Sequence, residues 1–255
     1  MARVVSRSLG FIGLTAATLI GFESAALGAK PLARREAMSR WSGRFGRVVL
    51  RLLGLELVRQ GALAAVGRYP ARSADGRGRV FVANHRSVLD VLVALAVADI
   101  TFMSRHDVAD WPLIGLAATR FGTVFVERGD RASGSQAIRA AHRLLEDGRA
   151  VIIFPEGTTY AGDEVRDFRF GAIRTAQLAG VEVVPLGLAY EDDRVAFGDE
   201  SFPTHAWRIG GMRRIRLAVA AGEPLDVRQL SVEDATKLVR ERVQALVREA
   251  RATLS

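Results

Sequence analysis

From Arg79 onward, short β-rich apolar runs alternate with stretches of helical periodicity: RVFVAN then VLDVLVALAVA, ITFMS then WPLIGLAATR, TVFVE then Ala132 to Glu146, AVIIF then GAIRTAQLA, and finally VEVVPLGLAY and IRLAVAAG. Alternation between the two periods predicts an α/β fold in which a mixed, mostly parallel sheet is covered by helices. Two helix starts show capping-box spacing, Ser133 with Gln136 and Ser231 with Asp234. The last helix repeats Ala235, Leu238, Val239, Val243, Leu246, Val247 and Ala250 along one stripe, which predicts packing on the body of the domain. With 255 residues, 49% of them apolar, the chain has material for one such domain plus an appendage.

The appendage is an N-terminal membrane-associating helical segment. Leu9 to Phe22 is uncharged, and beyond Glu23 the apolar character continues to Ala29. At a ~1.5 Å rise the shorter stretch reaches about 21 Å, less than a ~30 Å hydrocarbon core, whereas the stretch to Ala29 just spans it. Arg3 and Arg7 before the run also suit a signal peptide. The basic cluster Lys30, Arg34, Arg35, Arg40, Arg44 and Arg47 directly after it favours an uncleaved anchor held on the cytoplasmic side. In RFGRVVLRLLGLELV, arginines 44, 47 and 51 share one helical face and Phe45, Val48, Val49 and Leu52 another. That is the pattern of a helix lying in the headgroup layer, and equally of a surface helix packed on a domain. Residues 1–60 hold ten basic and three acidic side chains, and so carry most of the net charge of +8. The segment has long apolar runs and no nucleic-acid motif, so the expected partner is the bilayer, with no role for nucleic acid. The loop GRYPARSADGRGR sets a boundary near residue 70, between anchoring helices at 1–70 and a body at 71–255.

Composition removes several chemistries. Without cysteine there are no disulfides, thiolate zinc sites or cysteine nucleophiles. The four histidines, at 85, 106, 142 and 205, are scattered with no H-E-x-x-H, so no metal site is expected. No serine sits in a G-x-S-x-G elbow, and the two lysines, Lys30 and Lys237, lie outside any Walker loop.

The stretch RVFVANHRSVLD does carry chemistry. Residues five apart on a regular helix point about 140° from each other, so His85 and Asp90 meet only if the histidine lies in the turn before the helix. There the carboxylate accepts one imidazole N–H and leaves the other nitrogen as a base. The same residues also read as a simple capping box, Ser87 to Asp90. In AVIIFPEGTTY, the turn at Glu156, Gly157 and Thr158 suits the approach of an anion to backbone amides, or is merely the end of a strand. Arg128 in GTVFVERGDR follows a strand and is a forked phosphate donor or a solvated side chain. Pro185 in EVVPLGLAY implies a strand edge or a bulge near a site.

In order, NHRSVLD, VERGDR, FPEGTT and VVPLGLAY resemble the four sequence blocks of the glycerolipid acyltransferase family that includes 1-acyl-glycerol-3-phosphate acyltransferases. The resemblance runs from about Val80 to Tyr190 and includes FMSRHDVADWPLIG between the first two blocks. It implies that residues 71–255 are a catalytic domain in which His85 is the general base and Asp90 its orienting partner. It further implies that Arg128, Glu156, Gly157 and Thr158 bind the acceptor, and that Pro185 shapes the site or its donor side. The implied donor is acyl-CoA or acyl carrier protein, a co-substrate, with no cofactor. Membrane lipids are the implied partners, at the cytoplasmic face of the cytoplasmic membrane. The reaction implied is transfer of a fatty acyl group to a lysophospholipid hydroxyl, first of all 1-acyl-sn-glycerol-3-phosphate to give phosphatidic acid.

One departure bears on the acceptor. Many members of the family follow E-G-T with arginine and serine, where this chain has Thr159 and Tyr160. Arg166 and Arg169 nearby either replace the missing arginine or mark a different acceptor, such as lyso-ornithine lipid. A thioesterase or lipase-like hydrolase using His85 on water is the alternative from another class.

Overall fold

A computed structural model describes residues 1–111, 114–126 and 131–254. Its strands are β1 (Leu55–Gly61), β2 (Val80–Ala83), β3 (Ile100–Arg105), β4 (Val124–Val126), β5 (Ala150–Ile153), β6 (Val183–Tyr190) and β7 (Ile215–Ala221). They form one sheet in the order β1-β7-β6-β2-β5-β3-β4, and only the β6–β7 pairing is antiparallel. The helices are α1 (Ala2–Ala26), α2 (Pro31–Leu52), α3 (Ala62–Val66), α4 (Leu89–Val97), α5 (Ile114–Arg120), α6 (Arg131–Glu146), α7 (Gly171–Ala179), α8 (Phe202–Gly211) and α9 (Val232–Ala252).

The all-apolar sequence of β2 follows from burial on both of its faces. Phe81 and Ala83 join a core with Leu89, Val93 and Val97 of α4, Leu50 of α2 and Ile209 of α8. On the other face Val80 and Val82 meet Leu145 of α6, Ile173 of α7 and Val239, Val243 and Val247 of α9. The expected mixed, mostly parallel sheet between helical layers is what the chain forms, and Ser231 caps α9 by accepting from the Asp234 N–H at 3.0 Å. The other expected cap is not one, because α6 begins at Arg131 and Ser133 falls inside the helix.

Three local readings are decided. LELV, read as the end of a helix, is the start of β1, which pairs with β7 from Leu55↔Ile215 to Gly61↔Ala221. The sheet thus begins before the loop near residue 70. Second, the basic-apolar helix α2 packs on the domain instead of lying free with its apolar face outward: Phe45, Val49 and Leu50 are buried while Arg44 and Arg51 are exposed. Gly46 makes this packing possible, since a Cβ there would stand 2.9 Å from the Leu92 carbonyl oxygen and 3.0 Å from Leu95 Cβ on α4. Third, Pro185 lies in a central strand. It is tolerated because the β7 ladder starts only at Leu186↔Ala221, and the Pro185 carbonyl accepts from Gly222 N–H just beyond that ladder.

Helix α1, 25 residues long, has the length and composition to cross a bilayer. Phe22 and Phe11 pack toward α2, with the Phe11 and Phe45 rings 6.0 Å apart. Val5, Leu9, Ile12 and Ile20 form an exposed apolar row on the opposite side. Arg7 and Arg3 tie the start of α1 to the last turn of α8, donating to the carbonyls of Gly210 (3.0 Å), Met212 (2.5 Å) and Gly211 (3.1 Å).

Candidate active site

Strands β6, β2 and β5 are parallel neighbours, so their C-terminal ends open on one edge of the sheet. The candidate residues leave from that edge. Asn84 continues β2 by a side-chain pairing, its Nδ2 donating to Leu188 O (2.9 Å) and its Oδ1 accepting from Leu188 N–H (2.8 Å). The backbone is then free to turn away from the sheet, and His85 falls in that turn before α4.

The turn brings His85 and Asp90 together and keeps one half of the expected capping box. His85 Nδ1 lies 2.8 Å from Asp90 Oδ2, and the same oxygen accepts from the N–H groups of Arg86 (2.6 Å) and Ser87 (2.9 Å). Asp90 Oδ1 accepts from the Tyr190 hydroxyl at 2.6 Å. Asp90 is therefore the partner of an imidazole and the acceptor for the Ser87 N–H, while the reciprocal half of a capping box is missing: Ser87 Oγ accepts from Leu89 N–H and Asp90 N–H donates to Ser87 O. Because backbone N–H groups only donate, Oδ2 serves as an acceptor, which puts the imidazole proton on Nδ1 and the lone pair on Nε2. Nε2 has no partner among the described residues. The ring stacks on Phe154 (centroids 4.2 Å apart, planes 17° apart), which limits its swivel. Burial, with the Asp90 charge as a further cause, raises the Tyr190 phenol well above its ordinary value, so it remains a donor to Asp90.

Glu156 has a different place from the one expected. Its side chain is buried, and its oxygens accept from His85 N–H (2.6 Å), Arg166 N–H (2.9 Å) and the Arg86 guanidinium (3.2 and 3.3 Å). Spent on the protein in this way, it fixes the two turns against each other and does not reach out to an acceptor. Arg86 closes the brace through Nη2 to the Glu164 carbonyl (2.9 Å). Gly157 is half-buried and Thr158 is exposed. Gly157 has φ +82°, a conformation that favours glycine, and a Cβ there would meet the Arg169 guanidinium at 2.7 Å. The Thr159 hydroxyl donates to Phe197 O (2.6 Å). Arg169 has no hydrogen-bond or ion-pair partner for its guanidinium among the described residues, and Arg166 lies over the Tyr160 ring at 5.4 Å. Arg128 lies outside the described residues.

Asn84, Arg86, Phe154 and Tyr190 were not singled out from sequence. A signal existed for three of them: Asn84 and Arg86 flank His85, and Tyr190 is a polar aromatic ending a wholly apolar strand. Asp90→Asn tests the double role. An amide can turn its oxygen to the three N–H donors and its nitrogen to Tyr190, so the melting temperature should fall only a few degrees. Turnover should fall about 10³-fold because the charge facing the imidazolium is lost. Steady-state kinetics beside a thermal melt checks this, and a variant that loses stability but keeps its rate would leave Asp90 with the cap alone.

Comparison with known proteins agrees with this geometry. The acyltransferase family model matches residues 57–189, more than half of the chain. The lyso-ornithine lipid O-acyltransferase of Pseudomonas aeruginosa (strain PAO1) is 35% identical, over 66% of this chain and 66% of its own length. That of Rhizobium meliloti is 31% identical over 82% of this chain and 75% of its own. The 1-acyl-sn-glycerol-3-phosphate acyltransferase of Neisseria gonorrhoeae is 32% identical, covering 63% and 67%. The fold matches the crystal structure of the 1-acyl-sn-glycerophosphate (LPA) acyltransferase PlsC from Thermotoga maritima, with a TM-score of 0.72 at 21% identity over 98% of both chains. A histidine–aspartate turn at the C-terminal edge of this sheet, in a chain that matches these relatives across its core, makes the protein a member of the acyltransferase family.

Proposed function

We propose that the protein is a membrane-surface O-acyltransferase that moves a fatty acyl group from acyl-CoA or acyl carrier protein to the hydroxyl of a lysolipid. The observation that carries this reading is His85, with Nδ1 held by Asp90 and Nε2 unpartnered at the strand edge. Nε2 takes the proton of the acceptor hydroxyl as its oxygen attacks the thioester carbonyl. The tetrahedral intermediate collapses, the C–S bond breaks, and the imidazolium returns the proton to the departing thiolate. Asp90 stabilises the imidazolium in between. The exposed apolar row on α1 and the basic residues after it support attachment to the membrane on its cytoplasmic side, where the donor is made.

For the acceptor, the Arg169 guanidinium over the Gly157 turn, unpartnered among the described residues, supports a headgroup that carries an anionic group. The first reading is 1-acyl-sn-glycerol-3-phosphate. A second, lyso-ornithine lipid, is favoured by the relatives of that activity that match 82% and 81% of this chain. Purified protein in vesicles, given labelled acyl-CoA or acyl carrier protein and each lysolipid in turn, should form one diacyl product far faster than the rest. Arg169→Gln should raise the KM for that acceptor about tenfold or more and leave the donor KM unchanged. Free fatty acid released without need of any acceptor would replace the transferase with a hydrolase.

A further inference from the structure

The segment before and within α8 contains a polar chain that the reaction above does not use. His205 is fully buried. Its Nδ1 lies 3.0 Å from Glu200 Oε1 and 3.0 Å from Arg208 Nη2, and its Nε2 lies 3.3 Å from Ser87 Oγ. The ring packs on Phe197 with centroids 4.6 Å apart. Phe197 in turn grips both turns of the site, its N–H donating to Arg86 O (2.8 Å) and its carbonyl accepting from the Thr159 hydroxyl.

The directions of these bonds can be assigned. Leu89 N–H donates to Ser87 Oγ at 3.3 Å, and the Glu200 carboxylate accepts at Nδ1. Arg208 Nη2, which only donates, gives its N–H to the same Glu200 Oε1, so the imidazole carries its proton on Nδ1 toward that carboxylate and Nε2 accepts the Ser87 O–H. Burial lowers the pKa of His205 and Arg208 lowers it further, against the opposite pull of Glu200 and Asp90, which keeps the ring in the neutral form that accepts at Nε2. One polarised series thus runs from the start of α4 through Ser87 and His205 to Glu200. Ser87 is also one of the two residues whose backbone N–H holds Asp90 Oδ2.

We propose that His205 is a positioning residue of the reaction: by accepting the Ser87 hydroxyl it locks the 85–87 turn so that Ser87 N–H stays on Asp90, and Asp90 in turn orients His85. The inference rests on the reading of His85 as the base. It gives a purpose to a buried histidine bonded to Ser87 of the His85 turn, where a purely apolar side chain would have filled the space without any need for hydrogen-bond partners.

The test uses the full chain in vesicles with wild type, Ser87→Ala, His205→Gln and the double variant. Each single change should lower kcat on the order of tenfold while the KM for donor and acceptor stays within about twofold. The double variant should be no slower than the slower single one, since both break the same series. In histidine-labelled protein, the NMR resonance of the His85 Nδ1 proton should be sharp in wild type and broadened or lost in both single variants. A structural role alone would leave that proton unmoved. Wild-type kcat in both single variants, or an unchanged His85 Nδ1–H resonance in both, overturns the proposal. A wild type that transfers no acyl group to any lysolipid refutes the acyltransferase reading instead, and the resonance still decides what His205 does.

Discussion

Alanine in place of His85 should remove acyl transfer almost entirely, by about 10³- to 10⁴-fold in kcat, with the protein still folded. The size follows from the role: a positioned base contributes about 10²–10⁴ to such a step, and no other basic nitrogen approaches this point among the described residues. Survival of the fold follows from how the residue is held. Its backbone N–H stays on Glu156 and its carbonyl on Tyr160 N–H (3.1 Å), neither of which involves the imidazole. The ring contributes a single side-chain hydrogen bond, to Asp90, and the stack on Phe154, so the melting temperature should shift by only a few degrees. Single-turnover assays with acceptor in excess, run beside a thermal melt, measure both halves. A folded variant with wild-type turnover would remove His85 from the chemistry.

The largest effect on stability is expected at the brace between the two turns. Arg86→Met should destabilise the protein by about 3–5 kcal/mol, because it leaves the buried Glu156 carboxylate without its cation. For a chain of this size that is a fall in melting temperature on the order of 10 °C. Turnover should fall too, since Glu156 holds His85 by its backbone N–H. Adding Glu156→Gln removes the orphaned charge while leaving one acceptor for His85 or Arg166, so the double variant should recover at least half of the lost stability. If the double variant is instead as unstable as the two single losses added together, the charges do not act as a unit.

The layered architecture and the meeting of His85 with Asp90 were legible in the sequence because each depends on local pattern. A short all-apolar strand ran into a helical pattern, and the four residues between base and acid fixed which of them had to lie in the turn. What stayed hidden depends on partners far away in the chain. Nothing near Glu156 shows that Arg86, seventy positions earlier, is waiting for it, so a motif glutamate reads as a ligand for substrate until its burial is known. Tyr190 reaches Asp90 across one hundred positions. The helix-like stretch ending in LELV was misread because an amphipathic helix and an edge strand share one apolar run, and only the pairing with β7 separates them. His205 had no local signal at all: its meaning comes from Ser87, 118 residues before it.

The glycine at 46 has a mechanical consequence. With the backbone of α2 seated against the Leu92 carbonyl and Leu95 of α4, no side chain separates the two helices at this crossing to act as a slipping layer. The first turn of α4 holds Asp90, so the N-terminal hairpin and the His85 imidazole are geared together through the α2–α4 interface. Wherever the hairpin comes to rest against a lipid surface, it sets the altitude at which His85 works, and it serves as a spacer of fixed length as much as a tether.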